Sequence, residues 1–162
     1  SSLYTLADVI NAGCRDGELD VRGISHRGYF ASITDFKSYH DANMDLIDYK
    51  TATDLFHDNW PIYTRTNNSC PTHYFDTANV SNSVISNGSM IEGTVENSIV
   101  GRGCTIKKGA VIKNCVVLAD CTIGENVHIE NLVVDKHAKI THAKEIIRPA
   151  DEPGYIKRND TL

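Results

Sequence analysis

Cys104-Thr105-Ile106 returns as Cys121-Thr122-Ile123 seventeen residues on, and Asn114-Cys115-Val116-Val117 returns as Asn131-Leu132-Val133-Val134 after the same step. A looser third copy, Ala138-Lys139-Ile140, keeps the interval. Upstream, Asn97-Ser98-Ile99-Val100 and Asn82-Ser83-Val84-Ile85 continue the Asn series at steps of 17 and then 15. Within each period an apolar residue falls every five or six positions: Val100, Ile106, Ile112, Leu118, Ile123, Ile129, Val134 and Ile140. Ile123-Gly124-Glu125-Asn126-Val127-His128 is the clearest hexapeptide, with an aliphatic first residue, Gly second and a branched residue fifth. No α-helix repeats every six residues, but a coil with three flat faces does. Each face is a short strand sending one aliphatic side chain inward, and each corner is polar or Gly. Stacked coils satisfy one another's backbone hydrogen bonds around a continuous aliphatic column, which is a solenoid. The expectation is a mainly β chain carrying a parallel β-helix of about three to four coils over residues 79–147.

Outside that stretch the periodicity differs. Residues 1–64 read as a small α/β segment, 65–78 as a polar linker and 148–162 as a tail. Leu3, Leu6, Val9 and Ile10 share one helical face, with Gly13 as the expected stop. Val21 to Phe30 reads as extended, punctuated by Gly23 and Gly28. Thr34 is expected to cap a helix presenting Phe36, Tyr39, Asn43, Met44 and Ile47, with Asp35 in its first turn, where a carboxylate suits the helix dipole. Trp60-Pro61-Ile62-Tyr63 ends the segment extended, because Pro61 disfavours helix for the residue before it.

Composition narrows the class. The 162 residues carry 21 acidic against 16 basic side chains, a net charge of -5, which argues against a dominant nucleic-acid binder. No apolar run approaches the roughly 20 residues that span a bilayer, and no signal peptide opens the chain. The chain starts at Ser1-Ser2 without Met, so a piece of a longer protein is expected. The five cysteines, Cys14, Cys70, Cys104, Cys115 and Cys121, are odd in number and hold no C-x-x-C pair. They read as reduced thiols of a cytoplasmic protein, not a zinc site or disulfide framework. Cys104 and Cys121, one coil apart, are expected to stack about 5 Å from each other as packing residues.

Candidate chemistry is sparse. There is neither a G-x-x-x-x-G-K-[ST] nor a G-x-G-x-x-G phosphate loop, and Gly101-Arg102-Gly103 fits a coil corner. Of the histidines His26, His40, His57, His73, His128, His137 and His142, His128 is placed at one corner and His137 near another. A corner histidine is a candidate general base for acyl transfer. Asp41 and Asp45, at i and i+4, read as solvated surface. Lys107, Lys108, Lys113, Lys136 and Lys139 are candidates for an anion site, equally explained as solvated corners.

Gly28-Tyr29-Phe30, then Ser38-Tyr39-His40-Asp41-Ala42-Asn43-Met44-Asp45-Leu46, resembles a segment of the sugar-nucleotide pyrophosphorylases that reads Gly-Tyr-Trp-x-Asp-Val-Gly-Thr and then Tyr-x-Ala-Asn-Met-Asp-Leu. Trp60-Pro61-Ile62-Tyr63-Thr64 resembles the stretch that follows in bacterial glucose-1-phosphate adenylyltransferase. The resemblance covers nearly the whole chain in the right order. It implies a left-handed β-helix preceded by the end of a nucleotidyltransferase-like domain. The intact enzyme of that family joins ATP and glucose 1-phosphate into ADP-glucose and pyrophosphate with Mg. In its catalytic members the Asp of the Asp-Val-Gly triplet holds the metal, whereas Ser32 stands there in Phe30-Ala31-Ser32-Ile33-Thr34. A neutral hydroxyl does not replace a carboxylate for a hard divalent cation. The departure resembles the companion, GlgD-type subunit of glycogen biosynthesis. Such a subunit is expected to have no catalytic, cofactor or metal residues in this stretch and to serve assembly and allosteric regulation. Its partners are expected to be the catalytic subunit or a second copy, with no nucleic acid and no membrane. The alternative is a free-standing trimeric hexapeptide-repeat acyltransferase.

Overall fold

The computed structural model describes residues 5–162. Leu3, assigned to the face of the first helix, lies outside them. From His73 onward the chain winds into three parallel sheets, each five strands deep, climbing about four coil-to-coil steps. The first sheet stacks β1 (His73–Tyr74), β4 (Met90–Ile91), β7 (Thr105–Ile106), β10 (Thr122–Ile123) and β13 (Lys139–Ile140). The second stacks β2 (Asn79–Ser81), β5 (Thr94–Glu96), β8 (Val111–Lys113), β11 (His128–Glu130) and β14 (Glu145–Ile147). The third stacks β3 (Val84–Ile85), β6 (Ile99–Val100), β9 (Val116–Val117), β12 (Leu132–Val134) and β15 (Gly154–Ile156).

Register explains the sequence repeat. Thr105 pairs with Thr122 and Ile106 with Ile123, so each isoleucine lies directly over its copy. Val95, Ile112 and Ile129 align in the second sheet, and Val100 with Val117 in the third. These side chains are fully buried and form one column with Cys104, Cys115, Cys121 and Ala138. Leu118, expected to point inward, does not. Val117 takes that place, because it follows the corner Asn114 by three residues as Val100 and Val134 follow Asn97 and Asn131, and Leu118 lies half-buried outside.

Two stretches expected to be irregular join the stack. β1 lies inside the segment read as a linker, and β15 lies inside the tail. Residues 148–153 interrupt the period, so Gly154 pairs with Leu132 at a longer interval than its neighbours. Thr161 then bridges to Lys139, and Leu162 accepts from the Thr141 amide at 2.7 Å.

At one corner the successive residues Asn82, Asn97, Asn114 and Asn131 all have positive φ, between 42° and 55°. Asparagine tolerates this left-handed geometry because its short amide bonds locally. The four side chains bond to one another. Asn82 Nδ2 donates to Asn97 Oδ1 (2.9 Å), Asn97 Nδ2 to Asn114 Oδ1 (3.2 Å) and Asn114 Nδ2 to Asn131 Oδ1. Asn131 Nδ2 ends the ladder on the Arg148 carbonyl at 2.6 Å.

The N-terminal segment is helical and mostly unburied. α1 (Leu6–Arg15) starts on a Thr5–Asp8 capping box, and the Thr5 hydroxyl holds the Asp8 carboxyl below its ordinary range. It does not stop at Gly13. The Gly17 and Glu18 amides bond back to Cys14 and Gly13, closing a Schellman turn at Gly17, whose φ is +73°. α2 (Phe36–Asp45) is capped by Asp35, not Thr34, because the Asp35 side chain accepts from the Ser38 amide while Ser38 Oγ accepts from the Asp35 amide. α2 ends before Ile47. α3 (Tyr49–Leu55) follows, capped by Asp48.

α2 is the element that meets the solenoid. His40 Nε2 donates to the Asn114 carbonyl at 2.8 Å, and the ring is buried to 2%. Phe36 meets Tyr155 edge-on at 5.2 Å. Beneath them Val116 and Val133, paired in register, are buried although they lie outside the inner column. By contrast Leu6, Ile24, Trp60 and Tyr63 are more than three-quarters exposed.

Candidate functional site

A second corner of the solenoid concentrates positive charge. Its turning residues are Gly88, Gly103, Asp120, His137 and Asn159, all with φ between 60° and 78°. Each of the last four donates its amide to the carbonyl of the residue before the turn one coil back: Gly103 to Asn87, Asp120 to Arg102, His137 to Ala119 and Asn159 to Lys136. The residues before the turns therefore stack as a column, Asn87, Arg102, Ala119, Lys136 and Arg158, with coils about 4.8 Å apart. The polar stretch Arg65-Thr66-Asn67 lies along this column, tied to it by Arg102 Nη1 donating to the Arg65 carbonyl at 3.4 Å.

Between loop and column lies an open depression of about 460 Å³ lined by Arg65, Thr66, Asn67, Arg102, Asp120, Lys136, His137 and Arg158. Among the described residues, none of Arg65, Arg102, Lys136 and Arg158 has a carboxylate within ion-pair distance. Among the residues lining the depression the one carboxylate is Asp120, which turns toward His137 Nδ1 at 3.7 Å; Asp135 lies at its edge. In a chain of net charge -5 such a concentration is local. Arg guanidinium groups bind oxyanions through paired N–H donors, and a lysine adds a point charge. The arrangement suits a phosphate or other compact oxyanion. At the column's edge, Tyr155 donates to Asp135 at 2.7 Å. That bond holds the Asp135 carboxyl below its ordinary range, with further help from the Lys136 amide and the Arg158 charge.

The lysines singled out by sequence divide. Lys136 enters the depression; Lys113 pairs with Glu96 at 3.6 Å, and Lys108 lines a separate hollow with Thr77 and Glu125. Lys107 and Lys139 are exposed. Arg65, Arg102 and Arg158 were missed. The signal for Arg102 was coil register, since it lies two periods of 17 before Lys136; Arg158 falls off the period and Arg65 lies in the loop.

The histidines also separate. His128 is not at a corner but on the outer face of β11, where Nε2 lies 2.7 Å from Glu130 and Nδ1 3.9 Å from Glu145. His137 does sit at a corner, with Asp120. His73 packs at a tilt against Phe75, ring centroids 4.4 Å apart, and His26 and His57 line a depression with Tyr29, Asp54 and Trp60 in the N-terminal segment. Asp41 is paired with Lys37, and Asp45 accepts from the Tyr29 hydroxyl at 3.0 Å. The cysteines are all free; Cys14 and Cys70 are exposed, the other three buried.

The surroundings of Ser32 do not fit a divalent cation. Ser32 is exposed and neutral, and Asp35 is committed to capping α2. Among the described residues no three His, Cys, Asp or Glu side chains converge as metal ligands, and no helix is long and apolar enough to cross a membrane.

Residues 71–152 match the family described as GlmU-like, C-terminal hexapeptide. The chain is 38% identical over 133 residues to the glycogen biosynthesis protein GlgD of Bacillus subtilis, covering 82% of this chain and 39% of that protein. It is 42% identical over 86 residues to a glucose-1-phosphate adenylyltransferase of Geobacillus stearothermophilus, covering 53% of this chain and 22% of that enzyme. A glucose-1-phosphate adenylyltransferase of Bacillus mycoides is 36% identical over 122 residues, 75% of this chain and 32% of the enzyme. The chain thus spans less than two fifths of the length of these relatives.

Proposed function

Since the chain belongs to the GlmU-like C-terminal hexapeptide family and has glucose-1-phosphate adenylyltransferases and GlgD among its homologues, we propose that it is the regulatory end of a supporting subunit in glycogen biosynthesis. In this reading residues 1–64 are the end of a nucleotidyltransferase-like domain and the solenoid serves assembly with a catalytic subunit. The whole assembly would make ADP-glucose and pyrophosphate from ATP and glucose 1-phosphate with Mg. This stretch contributes no metal ligand, since a neutral Ser32 stands where the resemblance places a carboxylate.

The observation that carries the regulatory reading is the unpaired cationic depression on Arg65, Arg102, Lys136 and Arg158. It lies at the seam between the loop leaving the N-terminal segment and the solenoid. An anion bound there neutralises mutually repelling cations and draws loop and column together. A phosphorylated metabolite is the class of effector that fits.

The test is thermal unfolding in inorganic phosphate against chloride at equal ionic strength. Phosphate at 100 times its dissociation constant stabilises by about 2.7 kcal/mol, and Lys136→Ala together with Arg158→Ala should abolish the effect. Equal stability in both salts removes the regulatory reading. Mixing the full-length subunit with its catalytic partner tests the role itself: an unchanged rate and effector response would refute it.

A further inference from the structure

Asn87-Gly88 is the only Asn-Gly pair in the 162 residues, and the fold displays it at an exposed corner between β3 and β4. Succinimide formation needs a backbone amide free to reach the preceding side-chain carbonyl. A following glycine, lacking Cβ, leaves that path open. The Gly88 amide donates no hydrogen bond among the described residues, and the Asn87 side chain makes none. The other corner asparagines are differently placed. Asn82, Asn97, Asn114 and Asn131 have their amides engaged in the ladder and are followed by Ser, Ser, Cys and Leu.

Glycine suits this turn best. Its φ is +78°, and a Cβ there would come within 3.2 Å of Ser69 Cβ in the overlying loop. The reactive dipeptide thus occupies a left-handed corner that glycine adopts without crowding the loop.

We propose that Asn87 is a site of spontaneous deamidation whose product alters the cationic column. The Gly88 nitrogen attacks Asn87 Cγ, forming a C–N bond as the Cγ–Nδ2 bond breaks. The Gly88 amide proton leaves with Nδ2 as ammonia. Water then opens the succinimide at one carbonyl, giving aspartate, or at the other, giving isoaspartate. No oxidant or reductant takes part.

The location gives the reaction a consequence. Gly103 donates to the Asn87 carbonyl, so position 87 stacks one coil, about 5 Å, from Arg102. The new carboxylate lies beside the first cation of the column and gives it an ion-pair partner. Oxyanion binding in the depression falls as the protein ages. This second consequence rests on the anion-binding reading above; the modification itself does not.

The 162-residue chain is incubated at mildly alkaline pH and 37 °C, digested, and each asparagine peptide followed by mass and by isoaspartyl methyltransferase labelling. Conversion at Asn87 should run roughly ten-fold faster than at any ladder asparagine, because only Gly88 leaves the attack unhindered. Asn87→Gln should remove the isoaspartyl signal from the peptide spanning residue 87 while keeping a neutral amide; the exposed Asp16-Gly17 pair reports separately. Conversion at Asn87 no faster than at Asn82 or Asn97 overturns the proposal, as does an isoaspartyl signal surviving Asn87→Gln in the peptide that spans residue 87. Asn87→Asp is then compared in the phosphate assay. Weakened phosphate stabilisation relative to Asn87→Gln supports the link to the column, and equal stabilisation overturns that link. If the unmodified chain ignores phosphate, the anion reading fails while conversion at Asn87 is still decided by mass.

Discussion

Replacing Asn114 separates two sources of stability that coincide at one residue. Its backbone is left-handed at φ 50°; its side chain accepts from Asn97 and donates to Asn131, and its carbonyl receives His40. Either Ala or Gly removes both ladder bonds, at about 1 kcal/mol each. Ala must also hold a left-handed backbone, which costs a further 1–2 kcal/mol or so. Gly avoids that strain but loses about 0.5–1 kcal/mol through greater freedom in the unfolded chain. The totals are about 3–4 kcal/mol for Asn114→Ala and about 2.5–3 kcal/mol for Asn114→Gly. The decisive feature is the order. Within helices and strands Ala is the more stable of the two, whereas here Gly should be. Urea denaturation of both variants reads the difference. Solenoids lose two-state cooperativity easily, so hydrogen exchange at Cys115 and Ile99 should accompany it. Ala equal to or better than Gly would refute the strain argument, and a neutral Gly variant would refute the ladder as a stabilising feature.

Ile129→Ala, in the fully buried column, should cost about 2–5 kcal/mol in urea denaturation, against a small change for the exposed Lys107→Ala. Native protein should label at Cys14 and Cys70 with a thiol reagent, while Cys115, whose thiol burial pushes to about 12, reacts only after denaturation. Asp135 should titrate below 3.8 by carboxyl NMR, and Tyr155→Phe should move its midpoint upward. Because its folded value is depressed, its contribution to stability is present above about pH 4 and is lost as the pH falls through that depressed value. His40→Leu should raise hydrogen exchange throughout α2 while the solenoid core stays protected, since it removes the buried hydrogen bond from His40 to the Asn114 carbonyl.

The solenoid was legible because its determinant is local and repeated. One aliphatic residue per face and one Asn or Gly per corner suffice, and Ile106, Ile123 and Ile140 announce their own stacking. What escaped was whatever the period does not encode. β1 and β15 are held by neighbours, the latter across an interruption that breaks the interval. Val116 and Val133 could have been recognised, since two adjacent valines cannot both face one column, and a buried outer valine needs a cover. That cover, α2, was visible as a helix, but its docking through His40 to a backbone carbonyl leaves no trace in sequence. The cationic depression was legible in part: Lys136 was noted, while Arg65 reaches it only because the loop runs along that corner.

The asparagine ladder has a direction. Every amide donates toward the next coil, so no single member can turn its head without setting oxygen against oxygen on one side and nitrogen against nitrogen on the other. The four can only reverse together, and reversal would aim the Asn131 oxygen at the Arg148 carbonyl. One peptide oxygen at the far end therefore dictates how an exposed side chain faces at Asn82, four coils away. Orientation passes along the corner as it does along a row of compass needles, and what touches Arg148 is felt, in principle, at the opposite end of the solenoid.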